Sequence, residues 1–158
     1  MKPRVDVNRY LASGAVQAMV ALQKEVESSG LERSLIELVK IRASQMNGCA
    51  YCLDMHTKDA RAMGETEQRI YALSDWRETP FFSERERAAL DWTEAVTRVG
   101  DTHVPDDVFE RVRQRFTEPE LVALTFAVVA INGWNRLAIA IRMPAGTYQV
   151  QATAATHP

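Results

Sequence analysis

Residues 35–56 read LIELVKIRASQMNGCAYCLDMH, and the Asn47-Gly48 step in their middle decides the fold. Before it, Leu35, Leu38, Val39 and residues 42–46 scan at a helical period, and Asn-Gly is a suitable C-terminal stop. After it, a second helix opens at about Cys49 and runs to Gly64. So short a break folds the two helices against each other as a hairpin. Cys49 and Cys52 then fall in the first turn of a helix, where unpaired N–H groups and the positive end of the dipole favour a thiolate.

Outward from the hairpin, every long segment keeps the helical period and none alternates as a strand. Val7, Leu11, Ala15, Met19, Leu22 and Val26 mark a first helix that stops near Ser28–Gly30. A short helix is expected from Thr66 to about Asp75, followed by a loop from Trp76 to Phe82. Ser83–Glu86 (SERE) is a capping box opening a helix with Ala89, Trp92, Val96 and Val99 inward, closed by Gly100. Val108, Val112 and Phe116 form the next stripe. Thr117–Glu120 (TEPE) is a second capping box, and its helix runs to about Arg142, before Pro144. The expectation is an all-α, single-domain helical bundle of about six to seven helices with a CxxC hairpin. It spans residues 1–143, with 144–158 a tail or oligomer arm.

The chain has 158 residues, enough for a core without staples. Its net charge of −2 argues against broad binding to nucleic acid or an anionic membrane, since both need a concentrated basic face. The apolar run Leu121–Ile131 is too short to span a bilayer and is followed by the polar NGWNR, so a buried core helix is expected. The N-terminus MKPRVDVNRY has no apolar secretory region, which points to a reducing cytoplasm. There, paired cysteines more often mean redox chemistry or metal than a structural staple.

The two cysteines are the only ones in the chain. At a spacing of three they share a helix face and can form a reversible disulfide. His56 lies one further turn along that face and can move a proton near neutral pH. Glu37, on the preceding helix, could face this group across the hairpin, and a partly buried carboxylate there should have a raised pKa suited to a proton relay. Each residue also has a plainer reading: a buried small hydrophobe for a cysteine, a core histidine, a solvated glutamate. Zinc is the rival chemistry for Cys49, Cys52, His56 and Glu37, weakened by the lack of a second Cys/His pair. No metal and no organic cofactor is expected.

The spacing Glu37-x11-Cys49-x2-Cys52-x3-His56 resembles the signature of the alkylhydroperoxidase D-like proteins of the carboxymuconolactone decarboxylase superfamily. The similarity extends from about Leu35 to Arg142, including ETEQRIYALSDWRETPFFSERERAAL and AINGWNRLAIAIR. The resemblance implies a helical fold assembling as a homo-oligomer, a trimer or hexamer. It implies reduction of an organic hydroperoxide or hydrogen peroxide, with electrons returned by an external thiol or dithiol. By position, Cys52 would be the peroxidatic thiol, Cys49 its resolving partner, and His56 with Glu37 the proton relay. Tyr51 stands where some relatives carry a histidine, and a phenol is a poor base near neutral pH.

Trp76, Phe81 and Phe82 are expected either to wall the site for organic hydroperoxides or to be core aromatics under a loop. Two other readings stay open: the superfamily's decarboxylase activity on a carboxylated lactone, which needs no cysteine pair, and a non-enzymatic redox-sensing or oligomeric scaffold protein that merely carries the disulfide.

Overall fold

A computed structural model describes residues 2–150 apart from 7, 8, 10 and 12. Among these are eight α-helices and no strand. They are α1 (Gly14–Glu27), α2 (Arg33–Asn47), α3 (Ala50–Ala62), α4 (Glu67–Ala72), α5 (Glu84–Thr97), α6 (Val99–Thr102), α7 (Asp106–Arg113) and α8 (Glu118–Ile141). A 3-10 segment, Leu73–Glu78, joins α4 to the loop before α5. The all-α reading holds, and the helices beyond the expected number are short pieces.

α2 is the centre of the molecule. Every residue from Leu35 to Ile41 is buried, because α3, α5 and α8 all pack against it. A helix apolar on most sides can be stable only if its charges are paired, and Glu37 and Lys40 pair with each other. α8 lies alongside α2. It is long and apolar enough to cross a membrane by length and composition, but 44% of that window is buried here, and Leu121, Leu124, Ala127, Val128 and Ile131 join the core. It serves as a core helix.

Both capping boxes form. Ser83 and Thr117 accept the N–H of Glu86 and Glu120, whose carboxylates return to the cap N–H at 2.7 Å in each case. Two boundaries differ from the reading by period. α5 ends at Thr97, and Val99 is exposed in the separate turn α6 instead of facing inward. The stretch read as the first helix is broken at Ser13, the N-cap of α1, with Arg9 and Leu11 helical before it. Leu11 is exposed, and Val7 lies outside the described residues.

Candidate functional site

The hairpin closes as the sequence requires. Gly48 adopts the left-handed conformation (φ 68°), favoured for glycine because it has no Cβ. The Cys49 N–H then reaches back to the Ser44 carbonyl at 3.0 Å, satisfying an end of α2. Cys49 is the N-cap of α3 itself, one position before the first turn, and its sulfur accepts the Cys52 backbone N–H at 3.4 Å. Cys52 follows one turn later. Both thiols are free and each is only 1% exposed.

The two sulfurs differ in acidity. The Cys49 thiol is brought down to about 7, first by the hydrogen bond from the Cys52 thiol, with backbone N–H groups and Asn135 adding support against burial. Cys52 is pushed up, first by that same hydrogen bond, then by burial and the Cys49 charge. Both shifts share one cause, the hydrogen bond between the thiols, which favours the anion on the cap sulfur over the anion on Cys52.

Glu37 and His56 meet across the hairpin, with Glu37 Oε2 2.8 Å from His56 Nδ1. The other carboxylate oxygen of Glu37 accepts from Lys40 Nζ at 2.8 Å, and Lys40 also lies 3.6 Å from Glu27. The expected raised pKa of Glu37 is therefore corrected. Burial does push it up, but the hydrogen bond and charge of His56, together with Lys40, hold the carboxyl below its ordinary 4.5. An ionised carboxylate only accepts, so Nδ1 carries a proton and a neutral ring keeps Nε2 as its acceptor. Nε2 has no hydrogen-bond partner among the described residues, yet none of their buried side-chain nitrogens or oxygens lacks one.

Among the described residues, the groups placed to share a cation are Glu37, His56 and Asp59, whose donor atoms lie within 4.8 Å of one another. Neither sulfur belongs to that group, so the donors of the rival zinc site are not gathered around one point.

Trp76 and Phe82 are buried with Leu38, Ile41, Leu73 and Leu90, with Phe81 packed against them. They are core aromatics, not a wall beside the thiols. The apolar surroundings of the sulfurs are Ala43, Ile131 and Ala138, with Tyr51, Trp134 and Met143 packed against them. Sequence reasoning also missed Asn135. Its amide donates to Ser44 Oγ at 3.0 Å, accepts from Asn47 at 2.9 Å and supports the anionic form of both thiols. Tyr51 is no base: burial and the neighbouring Cys52, Asp54 and Cys49 charges push its phenol up.

The model of the carboxymuconolactone decarboxylase family matches residues 14–95, which include all four predicted site residues. The chain belongs to this family. An uncharacterized family relative, YdfG of Bacillus subtilis (strain 168), is 47% identical over 89% of this chain and 95% of its own. A solved structure from Agrobacterium tumefaciens, a protein of unknown function (ATU0492) described as a candidate antioxidant defence protein AhpD, is also 47% identical. It covers 93% of this chain and all of its own, with a TM-score of 0.87. An uncharacterized peroxidase-related protein from Silicibacter sp. TM1040, 24% identical over 84% of this chain and 70% of its own, shares the fold at a TM-score of 0.75. The alkylhydroperoxidase D-like resemblance read from the sequence is thus shown for the family and its fold.

Proposed function

We propose that this family member is a thiol-dependent peroxide reductase, with Cys52 and Cys49 as the redox pair and His56 with Glu37 as the proton relay. The observation that carries the reading is the free, buried thiol pair at the start of α3, with an imidazole one turn beyond Cys52 on the same helix whose Nδ1 faces a buried carboxylate. The relative described as a candidate antioxidant defence protein supports it further.

The chemistry balances as follows. Cys52 passes its proton to the Cys49 thiolate and attacks the distal peroxide oxygen. An S–O bond forms, the O–O bond breaks, and the departing alkoxide takes a proton from solvent water to leave as an alcohol. Cys49 then gives its proton through water to His56 Nε2, and its thiolate attacks the Cys52 sulfenic acid. The S–S bond forms as hydroxide leaves, protonated to water. An external dithiol returns two electrons and two protons, one restoring the Cys52 thiol and the other replacing the proton taken from solvent. Glu37 holds the ring while the proton passes. A reducing cytoplasm suits such a cycle.

The same reading includes a homo-oligomer. Val122, Phe126 and Val129 are each about half exposed on the outer side of α8, and a contiguous apolar stripe of this kind is suited to a subunit contact.

Peroxide consumption with a dithiol as the only reductant tests the proposal. Cys52→Ser and Cys49→Ser should each abolish steady-state turnover, and full activity in Cys52→Ser would remove that thiol from the attacking role. Turnover of a carboxylated lactone with inert thiols would favour the decarboxylase instead. Oxidation to the disulfide without catalytic peroxide consumption would favour a sensor.

A further inference from the structure

Both sulfurs are covered, although their chemistry requires contact with an oxidant and with a larger dithiol. Most of the cover is helical: Ala43 on α2, Tyr51 on α3, and Ile131, Trp134 and Ala138 on α8. Met143 is different. It packs against the same cluster but begins the segment after α8, where Arg142 turns the chain in the left-handed conformation (φ 58°).

That segment returns across α3 and is held there by three hydrogen bonds. The Gly146 N–H donates to Asp54 at 3.0 Å, Lys58 Nζ donates to the Tyr148 carbonyl at 3.0 Å, and the Tyr148 hydroxyl donates to Asp59 at 2.7 Å. Asp54 and Lys58 are themselves paired at 2.9 Å. Residues 144–147, 149 and 150 are exposed, and Tyr148 alone among residues 144–150 is half-buried. Its acceptor, Asp59, is the carboxylate grouped with Glu37 and His56. Burial, the Asp59 bond and charge, and the Glu37 and Tyr51 charges push the Tyr148 phenol up to about 12, so it remains a donor throughout the neutral range.

We propose that residues 143–150 form a strap over the thiol site and that Tyr148, bonded to Asp59, is the latch that sets access to the sulfurs. The inference rests on the cysteine pair being the reacting group, but not on peroxide being its oxidant. The other covering side chains belong to helices anchored in the core, whereas the strap is held by a few polar contacts at the surface. Opening it removes Met143 and Tyr148 together and admits a reagent larger than water.

Alkylation of the reduced protein by iodoacetamide and by a bulky dye-maleimide, at one pH, tests this directly. The ratio of the bulky to the small reagent's rate reports access, since the thiolate fraction affects both. Tyr148→Phe and Asp59→Ala should each raise that ratio about tenfold, the population change expected from losing one hydrogen bond to a charged acceptor. Asp59→Asn keeps an acceptor oxygen and should stay near wild type. Tyr148→Phe/Asp59→Ala should be no more open than either single variant, because both remove the same contact. A Tyr148→Phe ratio equal to wild type, or a double variant showing the product of the two single effects, overturns the latch. Alkylation needs no peroxide turnover, so an inactive peroxidase would leave this result readable.

Discussion

Glu37 accepts from Lys40 on one carboxylate oxygen and faces His56 on the other, both at 2.8 Å. The carboxylate is thereby ionised in the middle of the core, although burial alone would neutralise it. One residue performs two tasks: it compensates a buried ammonium and it fixes which imidazole nitrogen is free.

The first prediction concerns Glu37→Gln. The amide leaves Lys40 with only Glu27 at 3.6 Å, and an uncompensated buried charge should destabilise the fold by about 3 kcal/mol at neutral pH. The folded-state pKa of Glu37 lies below its ordinary 4.5. Its contribution is therefore fully present above pH 4.5 and is lost as pH falls through the lower folded value. Urea unfolding at neutral pH and at pH values below 4.5 checks both points: the gap between wild type and Glu37→Gln should be wide at the first and narrow at the second. Adding Lys40→Met should recover part of the loss.

The second prediction is a thiol titration. Cys49 should ionise at about 7 and Cys52 well above the ordinary 9.0. Ultraviolet thiolate absorbance should show one equivalent appearing near neutrality and no second one alongside it. Two equivalents rising together near 9.0 would contradict the unequal acidities.

The third prediction uses Cys49→Ser. Serine is a good N-cap, so α3 should keep its start and the protein its stability to within about 1 kcal/mol. The variant removes the Cys49 thiol and its charge, both of which hold the Cys52 pKa up. Cys52 should therefore become more acidic than in the wild type, which the pH dependence of its alkylation rate measures. Peroxide should then leave a sulfenic acid that a dimedone probe traps, since no partner sulfur remains to displace it.

Much of the geometry of this candidate site was legible because its four predicted members lie within twenty residues around a break closed by a left-handed glycine. Gly48 fixes the turn, and the helical period then orients Cys52, His56 and Glu37. Lys40 escaped notice because a lysine three residues from a glutamate ordinarily marks a solvated helix face; only the packing of α3, α5 and α8 around α2 makes it buried. Asn135 and Tyr148 approach from 83 or more residues along the chain from Cys52, a distance over which periodicity carries no information. Trp76 and Phe82 were ambiguous for the opposite reason: aromatic residues under a loop look alike whether they line a site or fill a core.

That distinction gives the last prediction, which concerns substrate choice. Trp134 and Tyr51 pack on the thiol cluster, whereas Phe82 packs with Leu38, Ile41 and Leu73 in a separate part of the core. Trp134→Leu should lower kcat/KM for a bulky aromatic hydroperoxide about tenfold relative to hydrogen peroxide, the scale expected from lost apolar contact in a binding site. Phe82→Leu removes an aromatic of similar character from a 5% exposed position. It should destabilise the fold by about 1 to 2 kcal/mol and leave the ratio of the two kcat/KM values unchanged. Steady-state kinetics with both peroxides, beside thermal unfolding of each variant, separates the two effects. A changed ratio in Phe82→Leu with none in Trp134→Leu would return the specificity wall to the loop before α5.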